Sequence, residues 1–194
     1  MRVSSGRLGR VRRFRADVRG VVAIEFALVG LLTVGLVLEA LQGGLYLYQR
    51  SEIERVTGLA ARQVMIGAVA ASGLSATQFL QQDICAALPS GMPCANVVAD
   101  LETVPQAASP GGFYAFANAD MSGPVPMPST GAYCAGSPGK VMYLRVSYKS
   151  IAISPVWRTI ASSSGLVING VPAYSVTAYT PFRNEPFIGG SSGC

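Results

Sequence analysis

The chain contains no histidine, little charge and a single tryptophan. Without histidine there is no Ser-His-Asp or Cys-His arrangement, no HExxH zinc site and no imidazole base near neutral pH. Charged residues make up 13% against 50% hydrophobic, which excludes a disordered polar chain. The four cysteines, Cys85, Cys94, Cys134 and Cys194, form no Cys-x-x-Cys pair. A zinc site would therefore need all four thiolates from scattered positions. The 194 residues suffice for one small domain with an appendage.

A formal net charge of +5 suggests a nucleic-acid partner until it is divided by position. Residues 1–20 hold seven arginines and one acid, Asp17, whereas the rest holds eight Lys/Arg and nine Asp/Glu. The basicity belongs to a tail, and the remainder has no excess of cations to meet phosphates. No nucleic acid, metal or cofactor is expected, and nothing pairs a nucleophile with a base, so an enzyme is not expected.

Behind the tail, residues 21–38 carry one charge, Glu25, and the next is Glu39. A hydrocarbon core of about 30 Å takes roughly 20 apolar residues as helix, so residues 21–41 are long enough to span a membrane. The arginines lie on one side only, which places the N-terminus in the cytoplasm and the bulk of the chain beyond the membrane. Tyr46 and Tyr48 suit the far interface. Three readings fit this segment: a cleaved secretory signal, a plain signal anchor, and a span in which Glu25 has a partner. The first suffers from an overlong apolar run without a clear Ala-x-Ala site. The second leaves a carboxylate inside the span, at up to about 2.5–3.5 kcal/mol if carried to the bilayer centre.

Gly20, the apolar run Val21-Val-Ala-Ile, Glu25 and the aromatic Phe26 resemble the processing site of type IV pilin-like proteins, cut by a prepilin peptidase. The wider string from Arg19 to Val29, with Ala60-Ala61-Arg62 further on, resembles the TadE/TadF-like minor pseudopilins of tight-adherence (Tad) pili. Many members of that family carry a proline just beyond the Glu-Phe block, where Gly30-Leu31 stands here. The resemblance implies cleavage between Gly20 and Val21 and an assembly role for Glu25 and Phe26. It implies as partners other minor pseudopilins, the major pilin, the pilus assembly platform, the peptidase and the lipid bilayer. Cleavage would free an α-amine at Val21, and Glu25 of one subunit would neutralise that of a neighbour. Such a pair favours one stagger, because any other leaves a charge unpaired.

The resulting organisation is a basic leader over 1–20, a transmembrane helix over 21–48 and an α+β pilin-like head over 49–194. Ile53, Val56, Ala60, Val64 and Gly67 follow three-and-four spacing, so one helix is predicted from Val21 to about Ala70, ~75 Å long. Gly73 should end that pattern. Ser75 and Gln78 form a capping box, with Leu74 and Phe79 at the staple positions, opening a second helix over 76–88 that stops before Pro89.

Residues 104–139, rich in Pro, Gly and Ser, read as loop, held down by Phe113, Tyr114, Phe116 and Tyr133. From Lys140 the period becomes two: Met142, Leu144, Val146 and Tyr148 face the core, with Tyr143, Arg145, Ser147 and Lys149 opposite, a half-buried strand. Asn169-Gly170 marks a hairpin with a type I′ turn, continued through Tyr174, Val176 and Ala178, and 96–104 is a further strand. The segments after Gly139 and Ala178 also resemble TadE-like C-terminal regions.

Four cysteines allow three pairings. Cys85 and Cys94 flank a helix end and a turn, which favours Cys85–Cys94 and leaves Cys134–Cys194. Trp157 is expected to pack in a core, with an interface anchor as the alternative. Arg183 and Glu185 read as a structural or surface contact, with partner binding as the alternative.

Overall fold

The computed structural model describes residues 19–104, 112–125 and 130–188. Helix α1, Arg19–Met65, runs 47 residues without interruption, about 70 Å at 1.5 Å per residue. Its two halves differ. Over 21–38 nearly every side chain is exposed, whereas Ile53, Val56, Ala60 and Val64 are fully buried. The three-and-four stripe is therefore the seam on which the head is built.

The helix stops earlier than its composition suggests. Gly67 has φ +78° and a Cβ there would lie 2.4 Å from the Phe187 ring. Only glycine tolerates both the left-handed backbone and the ring's approach. A short helix α2, Ala68–Ser72, follows and ends at Gly73, also left-handed. The break thus lies at Gly67, with Gly73 as a second one.

Helix α3, Ala76–Phe79, opens with the complete capping box. Ser75 Oγ accepts from the Gln78 N–H at 3.3 Å, and Gln78 Oε1 from the Ser75 N–H at 2.9 Å. Leu74 and Phe79 share one apolar cluster. The predicted single helix continues as a π turn, Leu80–Ile84, and a 3-10 turn, Cys85–Ala87. Each change of hydrogen-bond spacing rotates the following residues, delivering Cys85 to Cys94.

Strands β1 (Val97–Thr103), β2 (Val141–Ile151), β3 (Val167–Ile168) and β4 (Val171–Arg183) form an antiparallel sheet in the order β1-β2-β4-β3. A long N-terminal helix on a small four-stranded antiparallel sheet makes an α+β fold. Met142, Leu144, Val146 and Tyr148 of β2 face α1 in the main core. The hairpin between β3 and β4 turns through Asn169 (φ 51°) and Gly170 (φ 77°), the two positive values that a type I′ turn requires.

The opposite face of β2 departs from the half-buried expectation. Tyr143, Arg145 and Ser147 are all buried: the loop folds over the first two, with Phe116 stacked on Tyr143 at 4.2 Å and the Val125 carbonyl accepting from Arg145 Nη1, while Ser147 bonds to Ser175 and Thr177 of β4. Tyr133 packs on Phe79, while Tyr114 is exposed and the Phe113 side chain lies outside the described residues. One further element is a helix, α4, Pro155–Ser163.

Candidate functional site

Gly20, Val21, Glu25 and Phe26 occupy the first two turns of α1, and all are exposed. Val21 and Glu25 are four residues apart and so share a helix face. Among the described residues no side chain of the head covers them, and a Cβ at Gly20 would meet nothing within 4 Å. Gly30 and Gly35 are equally unobstructed, and the helix passes both without a break. Phe26 is 78% exposed. This end of the molecule is a bare apolar rod bearing one carboxylate. The basic leader up to residue 18 lies outside the described residues.

The rod meets the head earlier than the apolar run ends. Glu39 Oε2 accepts from the Ser154 hydroxyl at 2.8 Å, and Oε1 from the Val156 N–H at 3.0 Å. Gln42 Oε1 accepts from the Ile153 N–H at 2.8 Å, and its Nε2 donates to the Tyr174 hydroxyl at 3.0 Å. That hydroxyl donates to Gln49 Oε1 at 3.0 Å, and Gln49 Nε2 donates to Ser150 Oγ at 2.9 Å. Gln42 and Gln49 are both buried. Tyr46, between them, packs on Trp157 (ring centroids 5.2 Å) and Tyr174 (5.9 Å).

A buried amide is costly unless its hydrogen bonds are met. Here both are met by the head, so the collar fixes the rotation and height of α1 against the sheet. Residues 39–48, grouped with the span on hydropathy, already carry the head, and Tyr46 belongs to this collar. Among the described residues, the part of α1 that is exposed on nearly every side is 21–38, 18 residues or about 27 Å of helix.

The cysteines lie apart from this rod. Cys85 and Cys94 are joined, with Cα atoms 5.4 Å apart, as the sequence favours. Cys134 is also disulfide-bonded, and Cys194 lies outside the described residues. Arg183 Nε donates to the Gly139 carbonyl at 2.9 Å and the Glu185 N–H to the Met65 carbonyl at 2.9 Å. The two residues therefore make separate structural contacts that close the C-terminal segment onto α1 and the β2 entry.

Two further charged features escaped the sequence. Arg145 Nη2 and Asp100 Oδ2 form a buried ion pair at 2.7 Å, from directly opposed positions on β1 and β2. Asp100 Oδ1 also accepts from the Ala132 N–H at 2.9 Å, and Arg145 Nε is buried without a partner. Their strand positions were legible, but their burial depends on the covering loop. Asp83 Oδ2 is buried without a partner, and burial raises the Asp83 pKa. Burial, then the Asp83 charge, raise that of Tyr133. A cleft of about 180 Å³ between α3 and β1 is lined mainly by apolar atoms of Phe79, Val97, Leu101 and Tyr133. Among the described residues, no three of His, Cys, Asp and Glu cluster as a metal site would require. Searches against protein-family models, curated proteins and solved structures find no match.

Proposed function

We propose that this chain is a TadE/TadF-like minor pseudopilin, a non-enzymatic component in assembling or priming a Tad (Flp) type IV-like pilus. It sits in the bacterial inner membrane with the N-terminus cytoplasmic and the head periplasmic, and a prepilin peptidase cuts it after Gly20. The observation that carries this reading is one helix with two kinds of surface. Its first 18 residues beyond Gly20, apolar but for Glu25 and Thr33, are bare, and its second half packs in the core of an α+β head. A pilin spine needs both: a segment to lie in lipid and then among neighbouring helices, and a scaffold for a folded head.

The string from Gly20 to Phe26 gives the spine its chemistry. Gly20 is small enough for a peptidase to close over the scissile bond. After cleavage, Val21 presents a cation at the end of an apolar rod, and Glu25 one turn away on another subunit supplies the counter-charge. Other minor pseudopilins, the major pilin and the assembly platform are the partners of such a rod.

Intact mass and N-terminal sequencing of protein extracted from membranes test the reading. A mature chain beginning at Val21 is the expected result. A chain beginning at Met1 would instead make it an uncleaved bitopic inner-membrane protein with a periplasmic protein-binding head. Replacing Gly20 with a bulky residue should leave a precursor, and normal processing of that variant would overturn the assignment.

A further inference from the structure

Among the exposed aliphatic side chains of the head, five lie close together near the α4 end, apart from others such as Ile66 and Ile188 at the far end of α1. Ile153 is 59% exposed, Val156 54%, Ile160 59% and Val167 64%. Ile151, at the last position of β2, is exposed as well. The collar places all of them at the end of the head nearest the bare rod. The Ile153 N–H is bonded to Gln42 and the Val156 N–H to Glu39, while Val167 pairs with Pro172 at the start of β4.

Helix α4 is built in sectors. Ala161 is buried, and the half-buried Trp157 one turn before it packs on Tyr46 and Tyr174. Val156 and Ile160, also one turn apart, form a second apolar strip beside them and are open. Arg158, Thr159 and Ser162 take the remaining side. No Asp or Glu occurs between residues 150 and 184, and Arg158 is the only charged residue of α4. A helix with an open aliphatic strip, a cation and no carboxylate has the composition of one that lies in a membrane interface.

We propose that this end of the head is a second membrane contact. Helix α4, with Ile153 and Val167, rests in the headgroup region of the leaflet from which α1 emerges, so that the head lies pressed against the bilayer. What identifies lipid as the occupant is continuity: the patch adjoins the rod, and Glu39 holds the N-terminus of α4 at the level where the bare stretch ends. The stretch of α1 bare on every side is 18 residues, roughly 27 Å against a core of about 30 Å, and beyond it the side away from the head stays apolar and exposed at Leu41, Leu45 and Leu47, so α1 leaves no spacer between bilayer and head. The contact rests on the membrane-spanning part of the proposed function.

Trp157, the single tryptophan, reports on the contact without labelling. The full chain is reconstituted into phosphatidylcholine–phosphatidylglycerol vesicles whose acyl chains carry bromine near the headgroup. Trp157 emission is expected to fall roughly two-fold relative to unbrominated vesicles, as for a residue at the interface. The double variant Val156→Glu, Ile160→Glu changes exposed positions only and should still float with the vesicles but lose most of that quenching. Near-ultraviolet circular dichroism checks that its head stays folded, and Val156→Ser, Ile160→Ser serves if it does not. Flotation without quenching, or quenching unchanged in the folded variant, would overturn the contact while leaving the span intact. Failure of the wild-type chain to float would overturn the span, and the contact with it.

Discussion

Glu39 caps a helix whose N-cap residue lies 115 positions further along the chain, its carboxylate taking the Ser154 hydroxyl at 2.8 Å and the Val156 N–H at 3.0 Å. Ser154 occupies the N-cap position but makes no capping hydrogen bond with its own side chain. The cap is delegated to α1, so the start of α4 depends on a carboxylate that also belongs to the collar holding the head. That carboxylate also lies favourably at the positive end of the α4 dipole.

Glu39→Ala should therefore cost about 0.5–2 kcal/mol, the usual range for a lost N-cap, and loosen α4 before the rest of the head. Limited trypsin digestion reads this at Arg158, where cleavage should quicken several-fold relative to the wild type. Glu39→Gln keeps one acceptor and should fall between. Unchanged cleavage in Glu39→Ala would show that Pro155 and packing of Trp157 suffice to hold the helix.

Gly67→Ala tests the close of α1. The substitution forces an alanine into φ +78° and drives its Cβ into the Phe187 ring. Together these should lower stability by about 2 kcal/mol or more. Repeating it in a Phe187→Ala background removes the collision and leaves only the backbone term. The penalty should then shrink, and thermal unfolding of the four proteins of this cycle checks it.

Much of this architecture is written locally and was legible. The stripe from Ile53 to Val64, the box of Ser75 and Gln78, the Asn169-Gly170 turn and the alternation in β2 each depend on a few adjacent residues. What stayed hidden depends on distant partners. The end of α1 is set by Gly67 together with Phe187, 120 positions apart. Helix α4 carried a start signal, Ser154 followed by Pro155, but is nine residues long and its cap comes from Glu39. The outer face of β2 is buried at Tyr143 and Arg145 because Phe116 and Val125 cover them, and alternation cannot distinguish a face open to water from one under a loop.

The ion pair under that loop should be sensitive to loss of either partner. Asp100→Asn leaves the Arg145 guanidinium buried with its countercharge gone and should cost about 3–5 kcal/mol. Replacing both, as Asp100→Asn with Arg145→Met, should cost less than the single change, because no uncompensated charge remains. Denaturant unfolding of the wild type and the two variants in a mild detergent gives the comparison. Equal losses in single and double variants would mean that the hydrogen bonds to Val125 and Ala132 matter more than the charge.

Asp83 gives a pH dependence with a definite sign. Burial raises its pKa above 3.8, so the folded state binds this proton more tightly than the unfolded chain does. The resulting penalty is fully present above the folded-state pKa and disappears as pH falls below the unfolded value. Asp83→Asn should therefore raise the thermal midpoint at pH 7 by about 2 °C, and the gain should vanish toward pH 3. A gain that is independent of pH would assign it to packing instead.

Glu25 sits on the bare rod, where its cost and its proposed use pull in opposite directions. If it merely interrupts an anchor, Glu25→Ala or Glu25→Leu removes an expensive group from the span and should leave insertion unchanged or improved. If it neutralises the α-amine of a neighbouring processed subunit, the same change strands a cation among apolar helices. Insertion and cleavage after Gly20 would then proceed, while co-assembly with other pilins and the number of pili would fall. Glu25→Gln separates charge from shape, since it keeps the hydrogen-bonding size but cannot offset the amine. Glu25 is exposed, with no described residue of the head over it, so none of the three variants should alter the collar at Glu39 or the unfolding of the head. Pilus counts on cells, set beside the amount and processed fraction of the protein in membranes, decide the matter. Loss of pili with normal insertion and processing is the expected outcome, and full pilus output from Glu25→Ala at normal protein levels would remove Glu25 from assembly.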